Sequence, residues 1–396
     1  MSYDFDSCPD RRGTGSVKWD LHPGTLPLWV ADMDFAVAPE IKQALQQRLD
    51  HGVFGYQLVD DDYFQAIGRW FAARHGWEGI GRNNIVPTTG VIAAYSAAIK
   101  AMTRPGDAVL VQTPCYNAFF PAIRNNRCVQ LDSPLRQGSD GRFGVDWEDF
   151  EAKARQARVF LLCNPHNPVG RVWTREELLR MARICQQNQV FVISDEIHCE
   201  LTFAGHDYTP WATLPEAFVQ HSVSCISPTK AFNVAGIQIA NLFARDPAIL
   251  QKMDRAINEN ECCDVNVFGV TALKAAYKQG GPWLDQLRSY LWHNARTVYC
   301  FLEDEIPHII APPLEGTYLM WLDCRAALCP GEPLEGFSER FAAHLQRHGL
   351  TLSTGTIYGA AGEGFERLNI ACPRTLLLDA LQRLRDAFYS YRYEES

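Results

Sequence analysis

A single lysine, Lys230, follows a short apolar run at residues 223–226 and a Ser-Pro-Thr cluster. This pattern predicts a buried strand with Lys230 at its carboxyl end, where open α/β sheets bind their ligands. A lysine amine in that position can form a Schiff base with a carbonyl cofactor, and the neighbouring hydroxyl groups can bind a phosphate. A lysine after a turn is more often a surface residue, so this motif alone leaves both interpretations open.

Polar or aromatic groups also follow three other apolar runs, and they suit one cofactor, pyridoxal phosphate. Asp195 follows the run at 190–194, and a buried carboxylate there would keep the pyridine nitrogen of the cofactor protonated. Asn167 and His198 can donate hydrogen bonds to its phenolic oxygen, and Tyr116 can stack on its ring. Each residue also has an ordinary explanation as a turn, a helix cap or a buried side chain, so the argument rests on their occurrence together.

A metal site is the competing interpretation of the acidic stretch that contains Asp195. Glu196, His198 and Glu200 follow Asp195 closely and resemble a cluster of ligands. However, the side chains of Asp195 and Glu196 point apart in a strand or a helix, and no second histidine lies at ligand spacing. We therefore expect no metal here.

The elements that must position these residues alternate between strand and helix from residue 84 onward. Continuous apolar runs predict buried strands, and amphipathic or alanine-rich runs between them predict helices. This order favours an α/β fold with a mainly parallel sheet between helices. The predicted strands are 85–87, 107–111, 159–163, 190–194, 223–226 and 237–243, and the predicted helices in and before this region are 39–51, 60–75, 91–102, 146–155 and 174–188.

A smaller α+β domain is predicted at the C-terminal end. Helices are expected at 247–259, 267–279 and 283–305, and the last of these would link two domains. Strands at 318–322, 350–352 and 368–371 and helices at 337–348 and 375–389 follow, whereas 132–145 is a turn-rich connection. We expect an N-terminal segment (1–48) that joins the small domain, a large domain (49–285) and a small C-terminal domain (286–396).

Composition excludes several classes of partner. The 396 residues carry a formal net charge of −9, which argues against nucleic acid or an anionic membrane. No apolar run is long enough to span a bilayer, and the N-terminus has no signal-peptide pattern. The 13 cysteines contain no C-x-x-C pair, their closest spacings being Cys262-Cys263 and Cys324/Cys329. Reduced thiols and a cytoplasmic location are therefore expected.

Longer motifs in order along the chain resemble one family. N-P-H-N-P-V-G at 164–170, D-E-I-H at 195–198 and S-P-T-K at 227–230 resemble fold-type-I pyridoxal phosphate enzymes of the aspartate aminotransferase superfamily. More narrowly, the chain is similar to the MalY/PatB-type C–S lyases, which are cystathionine β-lyase-like enzymes. The motifs that carry this narrower resemblance lie at 11–20, 27–35, 54–56, 161–173, 229–236, 315–323 and 367–374.

The resemblance implies a role for each matching residue. Lys230 would be the Schiff-base lysine, and Asp195 the partner of the pyridine nitrogen. Arg367 would bind the substrate carboxylate, a bidentate contact that suits a guanidinium group. Residues implied to contact cofactor or substrate as well are Tyr116, Asn167 and His198, and those implied to bind the phosphate are Gly90, Val91, Ser227, Thr229 and, from the neighbouring subunit of a homodimer, Tyr56.

One position departs from the superfamily pattern. Many of its aminotransferases have a phosphate-binding arginine eight residues after the lysine, and Gln238 stands there in this sequence. The phosphate would then depend on backbone N–H groups, hydroxyl groups and Tyr56.

The resemblance favours β-elimination from L-cystathionine or another cysteine S-conjugate, which releases a thiol, pyruvate and ammonia. An aminotransferase acting on an L-amino acid would use the same residues, so the sequence leaves that reaction open. A regulatory protein that binds a partner, with lyase activity secondary, is a third possibility. Direct DNA binding is disfavoured, because we find no helix-turn-helix pattern and no basic stripe.

Overall fold

The computed structural model describes residues 3–259 and 264–394, so Cys262 and Cys263 lie outside the described residues. The strands are β1 Leu26–Pro27, β2 Ile85–Thr88, β3 Ala108–Val111, β4 Val129–Asp132, β5 Arg136–Gln137, β6 Phe143–Gly144, β7 Val159–Cys163, β8 Phe191–Asp195, β9 Ser222–Ile226, β10 Ala240–Phe243, β11 Leu319–Asp323, β12 Leu350–Thr351, β13 Ser353–Thr354 and β14 Phe365–Asn369. The helices are α1 Val17–Asp20, α2 Pro39–His51, α3 Asp61–His75, α4 Val91–Met102, α5 Phe119–Asn125, α6 Trp147–Ala154, α7 Arg175–Gln187, α8 Glu216–Val219, α9 Pro247–Asn258, α10 Val267–Gln279, α11 Gly281–Glu305, α12 Phe337–Arg347 and α13 Arg374–Glu394.

The large sheet has the strand order β2-β10-β9-β8-β7-β3-β4. The five strands from β9 to β4 pair in parallel, and β10 runs antiparallel to both β2 and β9. Every residue of β7, β8 and β9 is buried, as expected when helices cover both faces of a sheet. The predicted α/β architecture with a mainly parallel sheet is therefore confirmed, with β10 as the antiparallel exception.

A second, antiparallel sheet lies in the C-terminal part of the chain. Its order is β11-β14-β13, and Arg367 on β14 pairs with Trp321 on β11 and Ser353 on β13. The N-terminal segment joins this region, since β1 pairs in parallel with β12. The 25-residue helix α11 precedes the second sheet in the chain.

Capping side chains explain why the predicted helices begin where they do. The Asp60 carboxylate accepts a hydrogen bond from the backbone N–H of Tyr63 at the start of α3. Thr174 and Glu177 form the predicted capping box of α7, and each side chain bonds the backbone of the other. Gly52 and Gly76 end α2 and α3 in the left-handed conformation.

Several predicted boundaries were wrong. Helix α5 and strand β4 were missed, and the turn-rich connection at 132–145 contains the hairpin of β5 and β6. The strand predicted at 237–243 begins at Ala240, because residues 235–237 form a 3-10 turn. The strand predicted at 368–371 lies at Phe365–Asn369, where the polar Glu366 and Arg367 interrupt the apolar pattern.

Within the described residues, no helix combines the length and the apolar character that crossing a membrane requires.

Candidate active site

One cavity of about 590 Å³ lies at the carboxyl ends of the central strands of the large sheet. Asp195 at the end of β8 and Lys230 after β9 both line it, together with the first residues of α4. This is the edge at which parallel α/β sheets bind ligands. The predicted residues that line this cavity are Gly90, Val91, Tyr116, Asn167, Asp195, His198, Thr229 and Lys230.

Within the described residues, the Lys230 amine has one close hydrogen-bond partner. Its Nζ donates to the backbone oxygen of Ala31 at 2.5 Å. Burial and, to a smaller extent, the nearby Arg367 guanidinium lower the pKa of Lys230 to about 8, and Asp32 and Asp195 oppose this shift. A substantial fraction of the amine is therefore neutral at slightly alkaline pH.

Asp195 is a buried carboxylate between two buried thiols. Its register partners are Cys163 on β7 and Cys225 on β9. Its Oδ1 atom accepts a hydrogen bond from the backbone N–H of Ile197 at 3.2 Å. Burial raises the pKa of Asp195 to about 7, with a smaller contribution from Glu196 in the same direction. A cationic group in the cavity would stabilise its ionised form.

The other acidic residues of this stretch belong to separate networks. Glu196 accepts hydrogen bonds from the Ser194 and Tyr208 hydroxyl groups at 2.9 and 2.7 Å. Glu200 accepts from Trp70 Nε1 at 2.6 Å and from Arg74 Nε at 3.0 Å. His75, Cys199 and Glu200 lie close enough together to hold a metal ion. The Arg74 guanidinium already neutralises that carboxylate, which argues against a cation there.

His198 and Tyr116 contribute neutral groups to the cavity. Burial lowers the pKa of His198 well below its ordinary value, and Lys230 and Arg367 lower it further, so the imidazole is uncharged. The buried Nδ1 atom of His198 has no hydrogen-bond partner in the part of the chain that the structure describes. Burial raises the pKa of Tyr116 to about 12, and Asp195 adds to that effect, so its hydroxyl remains protonated.

Arg367 is held beside the cavity by three contacts and does not line it. Its NH1 donates to Asn167 Oδ1 at 3.1 Å, and its NH2 donates to the backbone oxygen of Trp29 at 2.7 Å. The guanidinium lies 4.9 Å from the ring centroid of Tyr358. Its Nε is buried and has no partner among residues 3–259 and 264–394. This arrangement leaves donor capacity for a carboxylate.

The predicted phosphate-binding residues are brought together only in part. Gly90 precedes the N-terminus of α4, where the backbone N–H groups of the first turn have no intrahelical acceptor. Ser227 Oγ lies 2.7 Å from Thr229 Oγ1 and donates to the backbone oxygen of Ile239 at 2.6 Å. Gln238 lines the cavity in a left-handed backbone conformation.

Tyr56 lies away from the cavity of its own chain. It is 100% exposed, in a segment without regular structure between α2 and α3. The Phe54 ring contacts that of Phe268 at a centroid distance of 5.3 Å, yet half of its surface remains exposed. Other large apolar side chains near Tyr56 are exposed too, namely Leu49, Val53 and Leu58.

The structure also identifies two residues that sequence reasoning missed, namely Tyr95 in the cavity wall and Tyr318, which bonds the lining residue Ala31. Tyr95 is fully buried, lines the cavity and has a hydroxyl without a partner. It lies one helical turn after Val91, so the helical period of α4 could have placed it on the same face. The Tyr318 hydroxyl donates to the backbone oxygen of Ala31 at 2.9 Å, a contact that no sequence pattern indicates.

These residues fit pyridoxal phosphate. Nδ1 of His198 and the hydroxyl of Tyr95 are buried polar atoms without partners among the described residues, and Asp195 is a carboxylate that no described cation pairs with. The amine of Lys230 lies in the same cavity and reaches a backbone oxygen alone. A group that carries a carbonyl, a protonated ring nitrogen and a phosphate would satisfy this set.

Comparison with known proteins finds a family model and relatives that match nearly the whole chain. The family model for aminotransferase class I and II matches residues 24–384. The chain is 40% identical to cystathionine beta-lyase PatB of Bacillus subtilis (strain 168), over 97% of this chain and 99% of that protein. It is 34% identical to protein MalY of Escherichia coli (strain K12), over 98% and 100% of the two chains.

A solved structure gives the same result. The crystal structure of cystalysin from Treponema denticola, which contains a pyridoxal 5'-phosphate cofactor, superposes with a TM-score of 0.93 at 32% identity. The match covers 99% of this chain and 100% of that one. The motif-based resemblance is therefore confirmed along the whole length of the protein. The chain belongs to the class I and II aminotransferase family, has the fold-type-I architecture of that family, and is a homologue of PatB and MalY.

Proposed function

We propose that this protein is a pyridoxal-phosphate-dependent C–S lyase that acts on L-cystathionine or related cysteine S-conjugates. One observation carries the proposal: Lys230 and Asp195 line a single cavity in a chain that is 40% identical, end to end, to a cystathionine β-lyase. The products would be a thiol, pyruvate and ammonia, with homocysteine as the thiol when cystathionine is the substrate.

The cofactor would be held by residues around this cavity. Lys230 would bind it covalently, Asp195 would pair with its ring nitrogen, and Tyr116 would lie against the ring. Asn167 and His198 would donate to the phenolic oxygen, for which a neutral His198 must carry its proton on the donating nitrogen. The residues proposed to bind the phosphate are Gly90, Val91, Ser227, Thr229 and the Tyr56 of the neighbouring subunit. When bound, pyridoxal phosphate withdraws the electron pair left on the substrate α-carbon.

Lys230 would move the proton that starts the reaction. Once displaced by the substrate amine, its neutral Nζ takes the α-proton, a role that suits a pKa of about 8. The bond between the β-carbon and sulfur then breaks, and the thiolate leaves with the electron pair and takes up a proton. Water hydrolyses the remaining three-carbon fragment to pyruvate and ammonia.

Arg367 would bind the substrate α-carboxylate. Its guanidinium is already held by Asn167 and by the Trp29 carbonyl, so little side-chain entropy remains to be lost when a carboxylate arrives. Asn167 and Tyr116 would contact the substrate as well as the cofactor.

The active unit would be a cytoplasmic homodimer. A fully exposed Tyr56 among exposed apolar side chains supports the dimer, because an exposed apolar surface is costly to leave in water. We propose that Tyr56 enters the neighbouring active site and bonds the phosphate there, which would offset the absence of an arginine at position 238.

The test is a product assay with purified protein and L-cystathionine. We expect homocysteine, pyruvate and ammonia in equal amounts, and loss of all three in Lys230→Ala, which removes the proposed base. Asp379→Asn, a substitution in a surface ion pair on α13, is the matched control and should retain full activity. Transfer of the amino group to 2-oxoglutarate without pyruvate would instead establish an aminotransferase.

A further inference from the structure

The segment of residues 29–35, here named the strap, is an irregular stretch of chain that is largely buried. Buried backbone oxygens need hydrogen-bond donors, and in the strap the donors are side chains from distant parts of the chain. The strap oxygens bonded in this way belong to Trp29, Val30, Ala31, Asp32, Met33 and Phe35.

On one side, the strap contacts the segment that carries Lys230. The Ala31 oxygen accepts from Lys230 Nζ at 2.5 Å. Three residues further along, Asn233 Nδ2 donates to the oxygens of Met33 and Phe35 at 3.0 and 2.9 Å, and its Oδ1 accepts from the Met33 N–H at 2.9 Å. The strap is therefore bonded to two side chains, Lys230 and Asn233, of one short stretch of chain.

On the other side, the strap contacts β14. Arg367 NH2 donates to the Trp29 oxygen at 2.7 Å. Asn369, two residues later on the same face of the strand, donates from Nδ2 to the oxygens of Val30 and Asp32, both at 2.7 Å. The strap thus joins the proposed base, which follows β9 of the large sheet, and the proposed carboxylate-binding residue, which lies on β14 of the second sheet.

An anchor of buried charges holds the strap in place. Asp34, 1% exposed, accepts from Arg11 NH1 and Lys18 Nζ at 2.7 Å each and from Trp19 Nε1 at 2.8 Å. Arg11 NH2 also pairs with Asp32 at 2.6 Å. Two cations and two carboxylates balance, and removal of the Asp34 charge takes the nearest counter-charge from the fully buried Lys18.

We propose that Asp34 and Arg11 are positioning residues of the active site, which act through the strap on Lys230 and Arg367 together. The inference rests on the proposed function for the roles of those two residues. It explains what the N-terminal motif at 11–20 does. Arg11 and its neighbours in that motif secure the strap, so that the Ala31 oxygen holds the free amine of Lys230 and the Trp29 oxygen orients Arg367.

The test combines hydrogen–deuterium exchange with kinetics on the cofactor-loaded enzyme. In Asp34→Asn and in Arg11→Gln, amide exchange in the peptide that covers residues 29–35 should accelerate about ten-fold or more. The ratio kcat/KM for L-cystathionine should fall about ten- to a hundred-fold, because displacements of about 1 Å have effects of that size. Both constants should change, KM through Arg367 and kcat through Lys230.

Controls separate positioning from general stability. Arg11 is partly exposed, so Arg11→Gln should keep its thermal midpoint within a few degrees and carries the test should Asp34→Asn fail to fold. Arg11→Lys should restore part of the lost kcat/KM, since it keeps the charge. Asp379→Asn, which removes one partner of a half-exposed ion pair with Arg383, should change neither exchange nor kinetics.

The inference is overturned if strap exchange in Arg11→Gln matches that of the parent protein, or if exchange accelerates while kcat and KM both stay within two-fold. Failure of the proposed function gives a different result. In that case the parent protein releases no pyruvate from L-cystathionine, or Lys230→Ala retains the activity, and the exchange measurement still reports on the anchor.

Discussion

Asp195 is a carboxylate in an environment that disfavours its charged form. Its carboxylate is buried among apolar strands and thiols, with a single backbone N–H as a close donor. Burial raises its pKa from the ordinary 3.8 to about 7. Because an unfolded chain gives up this proton near pH 4 and the folded chain near pH 7, folding becomes less favourable as pH rises between the two values.

Asp195→Asn should therefore stabilise the cofactor-free protein at neutral pH. Its stability advantage over the parent should grow by about 2–3 kcal/mol between pH 5 and pH 8, since each pKa unit is worth about 1.4 kcal/mol. Urea unfolding at several pH values measures this. A constant difference across the range would contradict the buried, uncompensated carboxylate. The same variant should lose activity when loaded, because the cofactor ring loses its partner.

Tyr95 provides a second test at the scale of single residues. Its buried hydroxyl has no partner among the described residues, so we expect the bound cofactor, or a water molecule held beside it, to provide one. Tyr95→Phe should leave the stability of the cofactor-free protein nearly unchanged and weaken cofactor binding about five- to ten-fold, the value of one hydrogen bond.

Equilibrium titration of the cofactor-free variant with pyridoxal phosphate measures this effect. Tyr63→Phe is the matched control. Its hydroxyl donates to Asn241 at 2.8 Å, so its removal should lower stability and leave cofactor affinity unchanged. Equal affinity of Tyr95→Phe and the parent would rule out a role for the Tyr95 hydroxyl.

At the scale of elements, the connection between β7 and α7 depends on one buried carboxylate. Glu315, fully buried, accepts from Arg171 Nε at 3.0 Å, from the Val172 N–H at 2.9 Å and from Arg142 Nε at 2.5 Å. It fixes the end of the loop that presents Asn167 to the cavity.

Glu315→Gln should cost about 1.5–3 kcal/mol of folding free energy, because it removes the buried charge that accepts from Arg171 and Arg142, while Arg171 keeps its pair with Glu177. The urea midpoint should fall accordingly, and KM should rise through the looser Asn167 loop. Glu305→Gln, which removes an exposed pair with Arg385, should cost less than about 1 kcal/mol. A similar cost for both substitutions would contradict the assignment.

The elements that could be predicted from the sequence are those whose signals lie in neighbouring residues. The capped, amphipathic helices α3 and α7 and the apolar strands β7, β8 and β9 carry their signals within a few neighbouring residues. Strand β14 does not, because Glu366 and Arg367 are buried by long-range pairing that no local pattern reveals.

The same distinction holds for the site. Lys230 and Asp195 could be predicted because each follows an apolar strand whose carboxyl end faces the ligand. The strap could not be predicted, because its contacts join residues some 200 to 340 positions apart. These contacts use backbone oxygens, which every residue has, so the residue types do not indicate them.

At the scale of the whole molecule, the proposed homodimer, in which Tyr56 reaches the neighbouring active site, leads to a prediction about assembly. Neither Lys230→Ala nor Tyr56→Ala homodimers should be fully active. In a refolded equimolar mixture, half of the dimers combine the two variants, and one site in each of these has both Lys230 and the partner's Tyr56. About a quarter of all sites should then be intact, as two-fold symmetry requires.

Lyase activity of the mixture measures the intact sites. Activity close to a quarter of the parent's would support sites shared between subunits. Activity no higher than the mean of the two variants alone would place each site within one chain.

Gln238 bears on how retention of the cofactor should depend on salt concentration. Lys230 is the only lysine or arginine among the described residues that line the cavity, so a bound phosphate would meet neutral amides, hydroxyls and backbone N–H groups. Mobile ions screen attraction between charges and scarcely affect short contacts between a phosphate and neutral donors. Retention of the cofactor should accordingly vary little with ionic strength, whereas superfamily members with an arginine at this position depend on an attraction that salt weakens.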